Sequence, residues 1–174
     1  GFNKSELEIY NYPSGEELGN FKIKSVFLGY YEKWDSIRNY DVSKKNGFLK
    51  YDKKLENCYF DFEKIDNHQH GIHDYFKFLK FGFGRATDQL SYSVRRGLIE
   101  RQEAIKIVKN LEGKFPFSYM NKSLINILKK INLSLDEFEK ICDRFTNKKI
   151  FECDNTGKLI KDKKKNLKKR KYDN

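Results

Sequence analysis

Between Ile72 and Phe81 the apolar residues Ile72, Tyr75, Phe76 and Leu79 stand at i, i+3, i+4 and i+7. That spacing predicts one amphipathic helix with a single buried stripe. His73, Lys77 and Lys80 make a second stripe along the same helix, so an imidazole and two ammonium groups share one polar edge suited to an anion. Gly82 and Gly84 interrupt the pattern, and Arg85, Thr87 and Asp88 follow in a segment whose backbone can approach a ligand closely. The same residues also fit a solvated lysine face closed by a glycine C-cap.

Other elements follow from similar signals. Residues 21–31, FKIKSVFLGYY, alternate and then become continuously apolar, which predicts a strand entering a covered, parallel sheet. Trp34, Ile37 and Asp41, ending in SKKNG at Gly47, predict a helix. Strand, turn and helix in that order form half of an α/β unit. Tyr51 to Phe62 fits either a short strand or a packed loop. Helices are predicted over Glu100 to Leu111 with a stop at Gly113, over Asn121 to Ile131, and from the Ser134/Glu137 capping box through Phe145. The second half therefore reads as mostly helical, with a terminal hairpin around the DNTG turn of Lys149 to Ile160.

A chain of 174 residues suits one domain with a tail. Its formal charge of +11 is unevenly spread. Residues 157–174 carry nine Lys or Arg against Asp162 and Asp173, a net of +7 that leaves +4 elsewhere. The expected division is therefore 1–156, α/β and then helical, followed by a Lys-rich disordered tail over 157–174. A mildly basic body argues against a nucleic-acid partner. Cys58, Cys142 and Cys153 form no CxxC pair and read as thiols in a reducing compartment. No apolar run approaches the ~20 residues of a membrane span and no signal peptide is visible, so a cytoplasmic location is expected. The start at Gly1 rather than Met reads as a fragment with upstream sequence missing.

His68, His70 and His73 with Asp66 and Asp74 include metal-ligand types, but two of the histidines lie in a polar loop and no metal site is expected from them. His73 with Asp74 is a better candidate for polar contacts to a substrate. GFGR at 82–85 follows a helix and lacks the spacing of a dinucleotide or Walker loop. Arg85, Arg95, Arg96 and Arg101 lie within seventeen residues. They suit either an anion cradle or ion pairs with Asp88, Glu100 and Glu103. No nucleophile stands with a base, and no catalytic residue is assigned.

The stretch GIHDYFKFLKFGFGRATD followed by VRRGLIERQEAI resembles the C-terminal half of the N-acetyl sugar amidotransferase family of lipopolysaccharide and pseudaminic-acid biosynthesis. IKSVFLGYYEKWDSIRNYDVSKKNGF resembles the segment ahead of it, so the likeness covers Ile23 to Val108. It implies the C-terminal part of an ATP-pyrophosphatase, adenine nucleotide alpha hydrolase-like α/β fold. It also implies conversion of a sugar N-acetyl group to an acetamidino group, with ATP and Mg²⁺ activating the amide oxygen and a partner glutaminase supplying ammonia. His73, Asp74, Lys80, Arg85, Asp88, Arg95 and Arg101 match the family pattern and are carried over as substrate- or nucleotide-binding residues. The family's SGGxDS loop and cysteine-rich segment do not occur in this sequence and are expected ahead of Gly1, while Leu98 stands where Arg is expected. The chain alone is then expected to be inactive. A tRNA-modifying ATP-pyrophosphatase and a basic nucleic-acid-binding module are the alternatives.

Overall fold

A computed structural model describes residues 3–21 and 24–171. Their contacts fall into two units, 1–46 and 47–174. In the first, α1 (Lys4–Leu7) starts at Asn3 and α2 (Gly15–Asn20) at Ser14, each through a reciprocal capping box with a Glu three residues on. The helix expected after Trp34 forms as α3 (Ser36–Lys45), with the Asp35 carboxylate accepting from the Arg38 N–H.

The strand expected over 21–31 does not form among the described residues. Lys22 and Ile23 lie outside them, residues 24–27 are irregular, and Leu28–Tyr30 is a 3-10 turn. Phe27 and Tyr30 are 81% and 86% exposed. A strand keeps its place through pairing and a covered face, and the described residues offer neither here. The expected parallel sheet is thus replaced by one antiparallel, two-stranded sheet in the second unit. The observed architecture is helical with a small sheet, compatible with an α/β class.

The second unit opens with the packed-loop alternative for 51–62. Leu55 and Cys58 are buried against Tyr119. Side chains satisfy the loop's backbone: Gln89 Oε1 accepts from the N–H groups of Tyr59 and Phe60 at 2.7 and 3.1 Å. The amphipathic stripe forms α4 (His70–Phe81), which buries Tyr75, Phe78 and Leu79 and ends at Gly82 with φ +75°. The segment after it is not an open loop but a helix, α5 (Arg85–Arg95). Its buried face is Ala86, Gln89, Leu90 and Ser93, half polar, so no apolar periodicity announced it. α6 (Arg101–Leu111) stops at Gly113, which has φ +79° and where a Cβ would lie 2.6 Å from Phe78 Cζ.

β1 (Ser118–Tyr119) and β2 (Lys122–Ser123) flank Met120 and Asn121, both at positive φ, the geometry of a two-residue hairpin. This hairpin displaces the next helix, which begins as α7 (Leu124–Lys129) behind the Ser123 cap rather than at Asn121. The Ser134/Glu137 box starts α8 (Leu135–Phe145) as expected. Tyr75, Phe78, Phe115, Leu124, Phe138 and Phe151 meet in one core.

The Lys-rich segment is not a solvated tail. The DNTG hairpin forms, and the chain then turns back at 162–165, giving bridges Cys153↔Leu159, Lys161↔Leu167 and Phe151↔Lys169. Phe151 is fully buried with its ring 5.3 Å from that of Phe78. Acids already in the fold receive the charge: Lys161 pairs with Asp143, Lys165 with Glu139 and Lys168 with Glu152. Lys169 donates to the Gly82 carbonyl at the end of α4. A charge run solvates when it lacks partners, and this one has them.

Deleting residues 157–174 is therefore expected to strip cover from Phe151 and lower stability by about 3 kcal/mol or more, on the scale of a large core truncation. Urea denaturation of the shortened chain checks this. A midpoint unchanged from the parent would show that the segment does not pack.

Candidate functional site

α4 presents two sides to the protein. Beside the apolar stripe, Asp74 points inward, its side chain 3% exposed. Only Gly82, Phe83 and Gly84 separate α4 from α5, and this short link delivers the first residue of α5, Arg85, to that carboxylate. Arg85 Nη2 donates to Asp74 Oδ1 at 3.3 Å, and its Nη1 lies 3.9 Å from Asp88 Oδ2 one turn on. Lys77 of α4 donates to Asp88 in turn. Burial works against the Arg85 charge, but Asp74 and then Asp88 outweigh it, and the guanidinium is held above its ordinary pKa.

The start of α5 is completed from a distance. Gly84 brings no capping side chain, and Glu112, next after α6, accepts from the Thr87 N–H at 2.6 Å and from Thr87 Oγ1 at 2.9 Å. A Cβ at residue 84 would meet this carboxyl at 3.3 Å.

The Asp74 oxygen that holds Arg85 also faces His73, whose Nδ1 lies 3.1 Å away. An ionised carboxylate only accepts, so in the neutral ring this contact places the proton on Nδ1 and leaves Nε2 with its lone pair. The imidazole is 66% exposed. A buried carboxylate thus orients an exposed ring whose outer nitrogen can take a proton.

Three buried polar atoms of this region have no partner among the described residues: Asn57 Oδ1, Asp74 Oδ2 and Arg85 Nε. All three residues line one cavity of about 10 Å³, with Gly84 and Glu112 in its wall. That is room for about one water molecule. One donor and two acceptors match the bonds such a molecule makes.

Of the carried-over positions, the structure brings His73, Asp74, Arg85 and Asp88 together. Lys80 lies elsewhere, 5.0 Å from the Phe145 ring. Arg95 stands ten residues along α5 from Arg85, about 15 Å at 1.5 Å per residue. It lies 5.8 Å from the Tyr92 ring, and Arg96 stacks on the same ring at 4.0 Å. Arg101 is exposed at the start of α6. The four arginines form no single cradle. The anion edge is also partly occupied, since Lys77 is engaged by Asp88: in these ion pairs two cations face two carboxylates, and Glu112 is a further acid in the cavity wall.

Asn57, Glu112 and the pairing of Lys77 with Asp88 escaped the sequence reading. Lys77 was visible as part of a stripe, but its partner lies eleven residues on, across a turn. Asn57 sits at φ +59°, an Asn-tolerant position in a loop with no periodicity. His68 Nδ1 faces the Tyr119 carbonyl and His70 Nε2 faces Asp66. Each histidine thus has a separate partner, and among the described residues no group of three or more His, Cys, Asp or Glu is placed to hold a metal ion.

Burial, followed by the charge of Asp74, pushes the Cys58 thiol up to about 12. Burial, followed by Asp143, does the same to Cys142. The thiolate is the reactive form, so at neutral pH the half-buried Cys153 should react first with iodoacetamide, as peptide mass spectrometry would read. Early labelling of Cys58 or Cys142 in the folded protein would contradict their placement.

Removing one member of the central pair leaves a buried charge. Arg85→Met should cost about 3–5 kcal/mol, and Asp74→Leu in the same chain should restore most of it. Denaturant titration of the single and double variants decides. A near-neutral Arg85→Met would show that the pair does not hold α4 to α5.

A family model described as LPS biosynthesis protein WbpG-like, C-terminal domain, matches residues 37–168. No curated protein matches the chain. No helix among the described residues is long and apolar enough to cross a membrane.

Proposed function

The chain belongs to the family of WbpG-like C-terminal domains of lipopolysaccharide biosynthesis proteins, and on that premise we propose that it serves an ATP-dependent amidotransferase. The reaction converts a sugar N-acetyl group to an acetamidino group with ammonia from a partner glutaminase. The reading is supported by the resemblance of GIHDYFKFLKFGFGRATD to that amidotransferase family. The single observation that carries it is the His73–Asp74–Arg85 arrangement, at the centre of the same stretch.

The chemistry needs such an arrangement. An amide carbonyl is a poor electrophile, and activation of its oxygen with ATP, releasing pyrophosphate, makes that oxygen a leaving group. Pyrophosphate release leaves an adenylyl group on that oxygen; ammonia then forms the new C–N bond as the C–O bond breaks and AMP departs, and the incoming nitrogen has to lose a proton. His73 Nε2 is the acceptor for that proton. Asp74 fixes the tautomer that leaves Nε2 free, and Arg85 keeps Asp74 in place, so both are positioning residues. The pairing of Arg85 and Lys77 with Asp74 and Asp88 suits this role, because an uncompensated cation beside His73 would raise the barrier to an imidazolium. Among the described residues no group of three or more His, Cys, Asp or Glu is placed to hold a metal ion, so Mg²⁺ would arrive bound to the phosphates of ATP.

In the intact protein supplied with ATP, Mg²⁺, ammonium and an N-acetylated sugar, mass spectrometry should find oxygen replaced by NH in the product. His73→Gln should lower kcat by about a hundredfold or more, the scale of a general base, with KM and thermal stability little changed. Absence of the acetamidino product with the parent protein would remove the amidotransferase reading. Full activity of His73→Gln would remove His73 from the chemistry.

A further inference from the structure

The Asp74–Arg85 pair is made by half of the groups that could make it. The Nε and Nη2 groups of a guanidinium point the same way and match the two oxygens of a carboxylate. Nη2 reaches Asp74 Oδ1 at 3.3 Å, while Nε and Oδ2, which would form the second leg, are buried without a partner among the described residues. Nη1 is turned elsewhere, 3.9 Å from Asp88 Oδ2.

A third atom of this kind, Asn57 Oδ1, borders the same cavity of about 10 Å³. Tyr75 and Phe78 of the core form another part of its wall, and the Glu112 carboxylate beside them already accepts from Thr87. Cavities that stay dry are apolar, whereas a polar one of this size takes a single water. The bonds then close in one way: the water oxygen accepts from the Arg85 Nε–H, and its two hydrogens go to Asp74 Oδ2 and Asn57 Oδ1. Ammonium does not fit, because it has no lone pair for the Arg85 N–H.

Asn57 is held for this contact. Its backbone sits at φ +59°, which Asn tolerates, and its neighbours are anchored. Leu55 and Cys58 are buried, and the Glu56 carboxylate accepts from Ser118 Oγ at 2.9 Å and from the Met120 N–H at 3.1 Å.

We propose that this cavity is a hydration site for one ordered water, inserted into the Asp74–Arg85 pair, and that Asn57 is thereby a positioning residue for His73. With the water in place the Asp74 carboxylate is held at both oxygens, so its plane is fixed and Oδ1 stays directed at His73 Nδ1, 3.1 Å away. The second hydrogen of the water ties the 51–62 loop to the two helices. The hydration site stands on this geometry alone, and its consequence for turnover rests on His73 as the proton acceptor.

Rotating-frame NOE spectra of the whole chain test it, with the Arg85 Nε–H resonance assigned by its loss in Arg85→Lys. In the parent that resonance should show a direct NOE to water. Asn57→Gly keeps the positive-φ backbone and removes Oδ1; there the NOE should weaken, and Nε–H exchange with solvent should rise by roughly tenfold, the worth of one hydrogen bond. Asn132→Gly, at φ +52° and outside the site, should leave both unchanged. In the acetamidino assay Asn57→Gly should lower kcat by about twofold to tenfold, the range of one neutral hydrogen bond, with KM unchanged, a split that a merely structural role would not produce. The hydration site is overturned if the parent shows no water NOE at Arg85 Nε–H, whether or not the variant folds, or if the Asn57→Gly resonance exchanges as the parent's does. A parent kcat in Asn57→Gly would overturn the positioning role. A parent that forms no acetamidino product removes the amidotransferase reading and leaves the hydration site to be decided by the spectra.

Discussion

A carboxylate taken out of water must be paired, and the pairing of Asp74 with Arg85 is the constraint around which the centre of this protein is arranged. α4 has to satisfy two demands at once. Its Tyr75, Phe78 and Leu79 face the apolar core, and the residue just before Tyr75 is an acid that is buried with them. The guanidinium that answers it comes from close in sequence and from a helix. The three-residue link through Gly82 and Gly84 turns the chain so that Arg85 is the first residue of the next helix. Glu112 then caps that helix, Lys77 and Asp88 fasten the two together, and Lys169 closes the end of α4 from the far terminus.

Much of this was legible locally. The 72–81 stripe, the Ser134/Glu137 box, the glycine stops at Gly47, Gly82 and Gly113 and the DNTG turn are short-range signals, and each corresponds to an observed element. What failed depended on partners distant in sequence. Residues 24–31 have the composition of a covered strand, but composition cannot supply the neighbour that would cover it. α5 hides because Gln89 and Ser93 occupy its inner face, Gln89 serving the backbone of Tyr59 and Phe60 some thirty residues earlier. The lysines after Gly157 look solvated until Glu139, Asp143 and Glu152 are placed beside them. In the site, His73, Asp74, Arg85 and Asp88 were legible as residue types, but their mutual neutralisation was not, because it depends on how two helices meet.

That neutralisation decides what the two helices leave available at their junction. At Asp74 and Arg85 the charges cancel, and what remains is orientation: one exposed imidazole with a defined free nitrogen, and a water-sized polar cavity behind it.

The orientation of His73 by Asp74 is read from the tautomer of its ring. Long-range ¹H–¹⁵N correlation spectra of the whole chain, taken at a pH where the ring is neutral and assigned against His73→Gln, report which nitrogen carries the proton. The Nδ1–H form is expected, shifting toward the Nε2–H form when Asp74 is replaced by Asn. An Nε2–H ring in the parent protein would contradict it, because the nitrogen assigned to accept the proton would already hold one.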